Sequence, residues 1–153
     1  MKGAWRLEAA EDLLRKLEYD FERMRAGSGD AYAAFDFFVT ADNLPEWTVP
    51  PCKELRTQSA LLGVVSHLAN NVKHFEATQR RHHHVEETSA SYGAHFNEDW
   101  FGQNYFAAGW WGGKLSIQLA PDIATELALP QKVPAVEFAD RVLKFWREKL
   151  RPT

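Results

Sequence analysis

Between Lys53 and Arg80 no proline and only Gly63 interrupt a stretch whose polar residues fall into register. Wound as a helix at about 100° per residue, this stretch brings Arg56, His67, Asn70, Asn71, His74, Thr78 and Arg81 into a sector roughly 100° wide. Ala60 and Gly63 lie in the same sector, where small residues would let a neighbouring helix or a ligand approach. His67 with Asn71, and Asn70 with His74, stand one helical turn apart, near enough for one side chain to orient the other. An imidazole held in this way gives or takes a proton near neutral pH, the chemistry of general acid–base catalysis. The same residue types have a plainer use, since Asn and His beside an apolar stripe hydrogen-bond to neighbouring loops. Both readings stand at this point.

Three further groups bear on chemistry. Asp36 is flanked by aromatics in FDFFVTA, and a carboxylate on a largely covered helix needs a partner, for which His67 or His74 is the natural candidate. Arg80, Arg81 and His82 to His84 supply fixed and titratable positive charge suited to phosphate, or to the C-terminal end of a helix dipole. Trp100, Phe101, Tyr105, Phe106, Trp110 and Trp111 put six rings into twelve residues interleaved with glycine. Such rings stack on bases, form a protein interface, or seal the end of a helical core. A metal site would require His74, one of His82 to His84, His95 and Glu98 or Asp99 to converge, yet no spacing matches a zinc signature, so no metal and no cofactor is expected.

LANNVKHF follows AFDFFVTADNLPEW by about twenty residues, and this pairing of motifs resembles an uncharacterised family of small bacterial proteins. More remotely, Asn-x-x-Lys-His near the end of a long helix is similar to the HEPN superfamily of helical nucleotide-binding and ribonuclease domains. The resemblance covers roughly residues 31 to 75. It implies that Asn70 takes the polar position of the HEPN motif and His74 its catalytic position, with the site formed where two protomers meet. Ala69 stands where that motif has Arg, so stabilising a transition state would fall to Arg56, Lys73 or Arg81.

Composition bounds these readings. A chain of 153 residues, 45% of them apolar, has the size of one domain and can build a core without metal or disulfide staples, and the single Cys52 allows no intramolecular disulfide. A net charge of −3 argues against a general coat for nucleic acid or membrane, though not against a local basic patch. Charged residues near the N-terminus leave no signal-peptide core, and no apolar run is long enough to span a membrane, so the sequence reads as cytoplasmic. It has no phosphate-cradling glycine loop, nucleophile elbow or paired-cysteine spacing.

The elements that must position these groups follow from periodicity. Leu7, Ala10, Leu14, Leu17, Phe21 and Met24 line one face of a helix over about 5–26, stopped by Gly27 to Gly29. Asp30 caps a second helix over about 30–42, too aromatic for one stripe and therefore central, before Pro45, Pro50 and Pro51 break regularity. The third helix, about 53–80, would be a rod of roughly 40 Å. An irregular aromatic loop covers 82–113. KLSIQLA alternates as a strand, and IATELAL would return antiparallel to close a hairpin over about 114–129. A final helix, about 134–150, carries Val136, Ala139, Val142, Leu143 and Trp146 on one face. The expectation is a mainly α fold, a four-helix bundle with a small antiparallel β-hairpin before the C-terminal helix, in a single domain over 1–153.

Two functions fit. One is a homo-oligomeric binding or interaction protein that offers Arg56, His67, Asn71, Arg81, Trp100, Tyr105, Trp110 and Trp111 to RNA, a nucleotide or a protein partner. The other is a HEPN-like, metal-independent ribonuclease using His74, with Asn70 and Asp36 to orient it.

Overall fold

The computed structural model of the chain describes residues 7–27, 29–74, 84–91 and 114–151. Those residues form a mainly helical fold with a small three-stranded antiparallel sheet. Helix α1 (Ala10–Ala26) buries Ala10, Leu17, Phe21 and Met24 on the face their spacing selects, and Leu13 is buried in place of Leu14, which is half-buried. It starts later than residue 5, because the Asp12 carboxylate accepts the N–H groups of Glu8 and Ala9 at 2.9 and 3.0 Å and fixes the entry there. Asp30 caps α2 (Ala31–Trp47) as expected, its side chain accepting from the N–H groups of Tyr32 and Ala33.

Helix α2 does not stop near residue 42 but runs through Pro45 to Trp47. Proline removes one N–H and crowds the preceding turn, a cost that tertiary packing outweighs here. Ala41, Leu44 and Pro45 are all buried, and the Pro45 carbonyl takes the Cys52 N–H at 2.8 Å. The expected 53–80 rod is also corrected. A short helix α3 (Leu55–Gln58) precedes α4 (Ala60–His74), with Ser59 between them in extended conformation at φ −116°. The Ser59 hydroxyl accepts the N–H of Leu62 at 3.4 Å, competing with helix continuity as serine does at helix starts. The fifteen residues of α4 span roughly 22 Å.

Strand β1 (Val85–Ser91) falls inside the segment expected to be irregular. It pairs antiparallel with β2 (Lys114–Leu119), the strand expected from KLSIQLA, and β2 pairs in turn with β3 (Lys132–Pro134). IATELAL is not a return strand. It forms helix α5 (Pro121–Leu127), with proline at its start, Asp122 in its first turn and Ala128 ending it in left-handed conformation. Ile123 and Ala124 are adjacent and both buried, which helical geometry permits and a half-buried strand does not. Helix α6 (Ala135–Lys149) closes the described chain with Phe138, Ala139, Val142, Leu143 and Trp146 buried.

Helix α2 packs against α1, α4 and α6, and a chain of rings runs through the contacts. Phe21 meets Phe37 at 6.3 Å between centroids, Phe37 meets Phe38 edge-on at 5.3 Å, and Phe38 meets Phe138 at 6.3 Å. The aromatics of α2 are not all core, however, because Tyr32 is 83% and Phe35 40% exposed. Both lie on the face of α2 turned from these neighbours. Strands β2 and β3 cover α6, and the start of β1 lies on α4.

Candidate functional site

The polar face of α4 divides along its length. At its N-terminal half the ring of His84 lies against Gly63, so closely that a Cβ there would sit 2.5 Å from His84 Nε2. One turn on, His67 is 5% exposed, and its Nδ1 accepts the Val85 N–H at 3.1 Å. A ring nitrogen that accepts carries no proton, so the neutral His67 is the tautomer protonated on Nε2. The His84 carbonyl accepts from the Ala120 N–H at 3.1 Å, which ties the same point to the end of β2. Gly63 and His67 therefore dock the start of β1. Small size at Gly63 serves a close approach, as the sequence suggests, and the approaching group is a histidine of the same chain.

Toward the C-terminal end, Asn70 and Asn71 are half-buried. The Asn70 amide donates to the Ser66 carbonyl at 2.7 Å, a bond back along its own helix. His74 is the last described residue of α4, one turn beyond Asn70. Its side chain, with Arg81, Trp100, Tyr105, Trp110 and Trp111, lies outside the described residues.

Arg56 does not join this face. The break at Ser59 sets α3 apart from α4, and the Arg56 guanidinium closes the end of α2 instead. Its Nε donates to Asp42 Oδ1 at 3.0 Å, and its Nη2 donates to the Asp42 carbonyl and to Glu46 Oε1 at 3.2 Å. A cation there suits the negative end of the helix dipole.

Asp36 has a partner other than the one expected. Arg23 of α1 donates to it at 2.6 Å, and neither His67 nor His74 is needed. The antiparallel packing of α1 on α2 creates this pair, and the carboxylate beside Arg23 raises the guanidinium pKa above its ordinary value. Asp36 is 40% exposed. The buried carboxylate of this region is Asp20, 1% exposed, which accepts from Lys16 Nζ at 2.5 Å, Arg23 Nη1 at 3.4 Å and the Thr40 hydroxyl at 3.3 Å. The sequence carries a signal for Asp20. It lies seven residues after Leu13 and four before Met24, on the apolar stripe itself.

A depression of about 340 Å³ between α1 and α6, lined by Phe21, Arg25, Val136, Glu137 and Asp140, includes none of the candidate site residues. Among the described residues no group of three or more metal-ligating side chains converges, and no helix is long and apolar enough to cross a membrane. No protein-family model, curated protein or solved structure matches the chain.

Proposed function

We propose that the protein is a non-catalytic binding module whose ligand contacts the C-terminal half of the α4 face, Asn70, Asn71 and His74, together with the aromatic segment Trp100 to Trp111. The observation that supports this reading is how the other titratable and charged candidates are used. His67 accepts from Val85, Arg56 is held by Asp42 and Glu46, and Asp36 is held by Arg23. Groups spent on structure are poorly placed to move protons, whereas half-exposed carboxamides such as Asn70 and Asn71 suit recognition. Amide edges match base edges, rings stack on bases, and Arg80 and Arg81 would meet phosphate, so the ligand class is a nucleotide or short single-stranded RNA.

The test is a titration of the purified chain with nucleotides and short single-stranded RNAs, read by tryptophan fluorescence. A saturable change that weakens in Asn70→Ala and in Trp110→Ala supports the reading. Unchanged fluorescence and unchanged mobility across the panel, or a pulled-down protein that binds with those variants unaffected, overturns it.

A metal-independent ribonuclease is the second reading, favoured by the placement of Asn70 and His74 one turn apart on α4. It proceeds without Asp36 or Arg56, which are engaged elsewhere. Cleavage of RNA by the wild type and its loss in folded His74→Ala would establish it; intact RNA after prolonged incubation would sink it.

A further inference from the structure

Strand β1 is an outer strand of the sheet, and among the described residues nothing pairs with its far edge. An open edge presents the N–H and C=O groups of every second residue, which is what another strand requires. From Glu86 to Ala90 every residue is exposed, so the strand stands clear of the helices on both faces. No proline interrupts it, and its one irregularity, a bulge between Val85 and Glu87, lies at the end docked on α4.

Charge along the ribbon is polarised. Glu86 and Glu87 occupy the end near α4, while Lys114 stands at the other end, paired in register with Ser91. Register positions 87, 89 and 91 of β1 share a face with Gln118, Ser116 and Lys114 of β2. We propose that β1 pairs antiparallel with β1 of a second copy of this chain, about a two-fold axis at Ser89, giving a continuous six-stranded sheet. In that register Glu87 stands opposite position 91 of the second copy, on the same face as the second copy's Lys114. Opposite charges then meet at both ends. A parallel pairing would set the glutamates of the two copies side by side, and like charges across a strand pair repel. At the centre Ser89 faces Ser89, and Thr88 faces Ala90, small residues that let the backbones come together. The resulting interface is isologous, and it does not depend on the ligand-binding reading above.

One strand pair is smaller than a standard interface of about 1,600 Å², so the expected association is reversible, with a dissociation constant of roughly 10–500 µM. Sedimentation of the full chain over that range should show a monomer–dimer equilibrium. Ser89→Lys and Ser89→Glu each place like charges on the axis at an exposed position, and each should weaken dimerisation roughly tenfold while far-UV circular dichroism is unchanged. Mixing the two variants should restore it. Glu87→Lys should also weaken it, and adding Lys114→Glu should restore it. A wild type that stays monomeric to about 1 mM overturns the proposal. So does a dimer that neither Ser89 variant disturbs, because another surface then makes it. Slow exchange, in monomeric protein, of the alternate β1 amides that point away from β2 would overturn it too, showing that the chain covers its own edge.

Discussion

The Nδ1 of His67 accepts the backbone N–H of Val85 at 3.1 Å, so one imidazole on α4 fixes the first residue of β1, eighteen positions further along the chain. Removing the acceptor strands a buried donor, which costs about 1–3 kcal/mol. His67→Ala is therefore expected to lower the unfolding free energy by that amount in urea and to speed exchange of the Val85 amide. A loss under about 0.5 kcal/mol would mean that β1 docks without this bond.

Gly63 and His84 should be energetically coupled. Alanine in place of a helical glycine ordinarily gains about 0.8–1 kcal/mol, but at this position the new methyl meets the His84 ring. Gly63→Ala alone should lose that gain or become destabilising. In a His84→Ala background the same change should stabilise by about 0.5–1 kcal/mol, measured as a double-mutant cycle in chemical denaturation. Additive effects would show that the ring moves aside without cost.

Arg56 is expected to behave as a structural residue. Arg56→Ala withdraws the guanidinium from the Asp42 carboxylate and carbonyl and should cost about 2–3 kcal/mol. Arg56→Lys should recover only part of this, because an ammonium cannot reach the same acceptors in a fork. Ligand affinity at saturating folded protein should be unchanged in both, and a loss of binding without a loss of stability would return Arg56 to the site.

The start of α1 makes stability depend on acid pH. The N–H groups of Glu8 and Ala9, and then Arg15, hold the Asp12 pKa below its ordinary 3.8. A carboxyl depressed on folding adds stability above its unfolded pKa, and the contribution fades as pH falls through the folded value. Asp12→Asn should therefore melt at a lower temperature than the wild type at pH 7, and the gap should narrow below about pH 3.8. A gap constant from pH 7 to pH 2.5 would remove Asp12 from the account.

Helices α1 and α6 were legible because Ala10, Leu17, Phe21 and Met24, and likewise Val142, Leu143 and Trp146, repeat at helical spacing against a polar background. The corrections fall where local and tertiary signals part. Pro45 reads as a breaker, and only the burial of Leu44 and Pro45 carries α2 past it. Ser59 is one hydroxyl in a run of good helix formers, and IATELAL satisfies strand and helix patterns alike. VEETSAS shows no apolar alternation, because β1 from Glu86 onward has no core to face. The α4 face was found in sequence, yet which half docks a strand was not, since Gly63 and His67 acquire that role only when His84 and Val85 fold back on them.

The outermost helices of the described chain lie against each other, with Arg147 of α6 donating to Glu18 of α1 at 2.8 Å and Trp146 wholly enclosed. During synthesis at about 5–20 residues per second, α1 must wait several seconds for that partner to leave the ribosome. Until then α2 alone covers the stripe of Leu13, Leu17 and Phe21, and the part that α6 will bury faces water, which makes the nascent chain a client for chaperones that hold apolar helices. A transcript truncated before α6 would produce a polypeptide that never leaves that state.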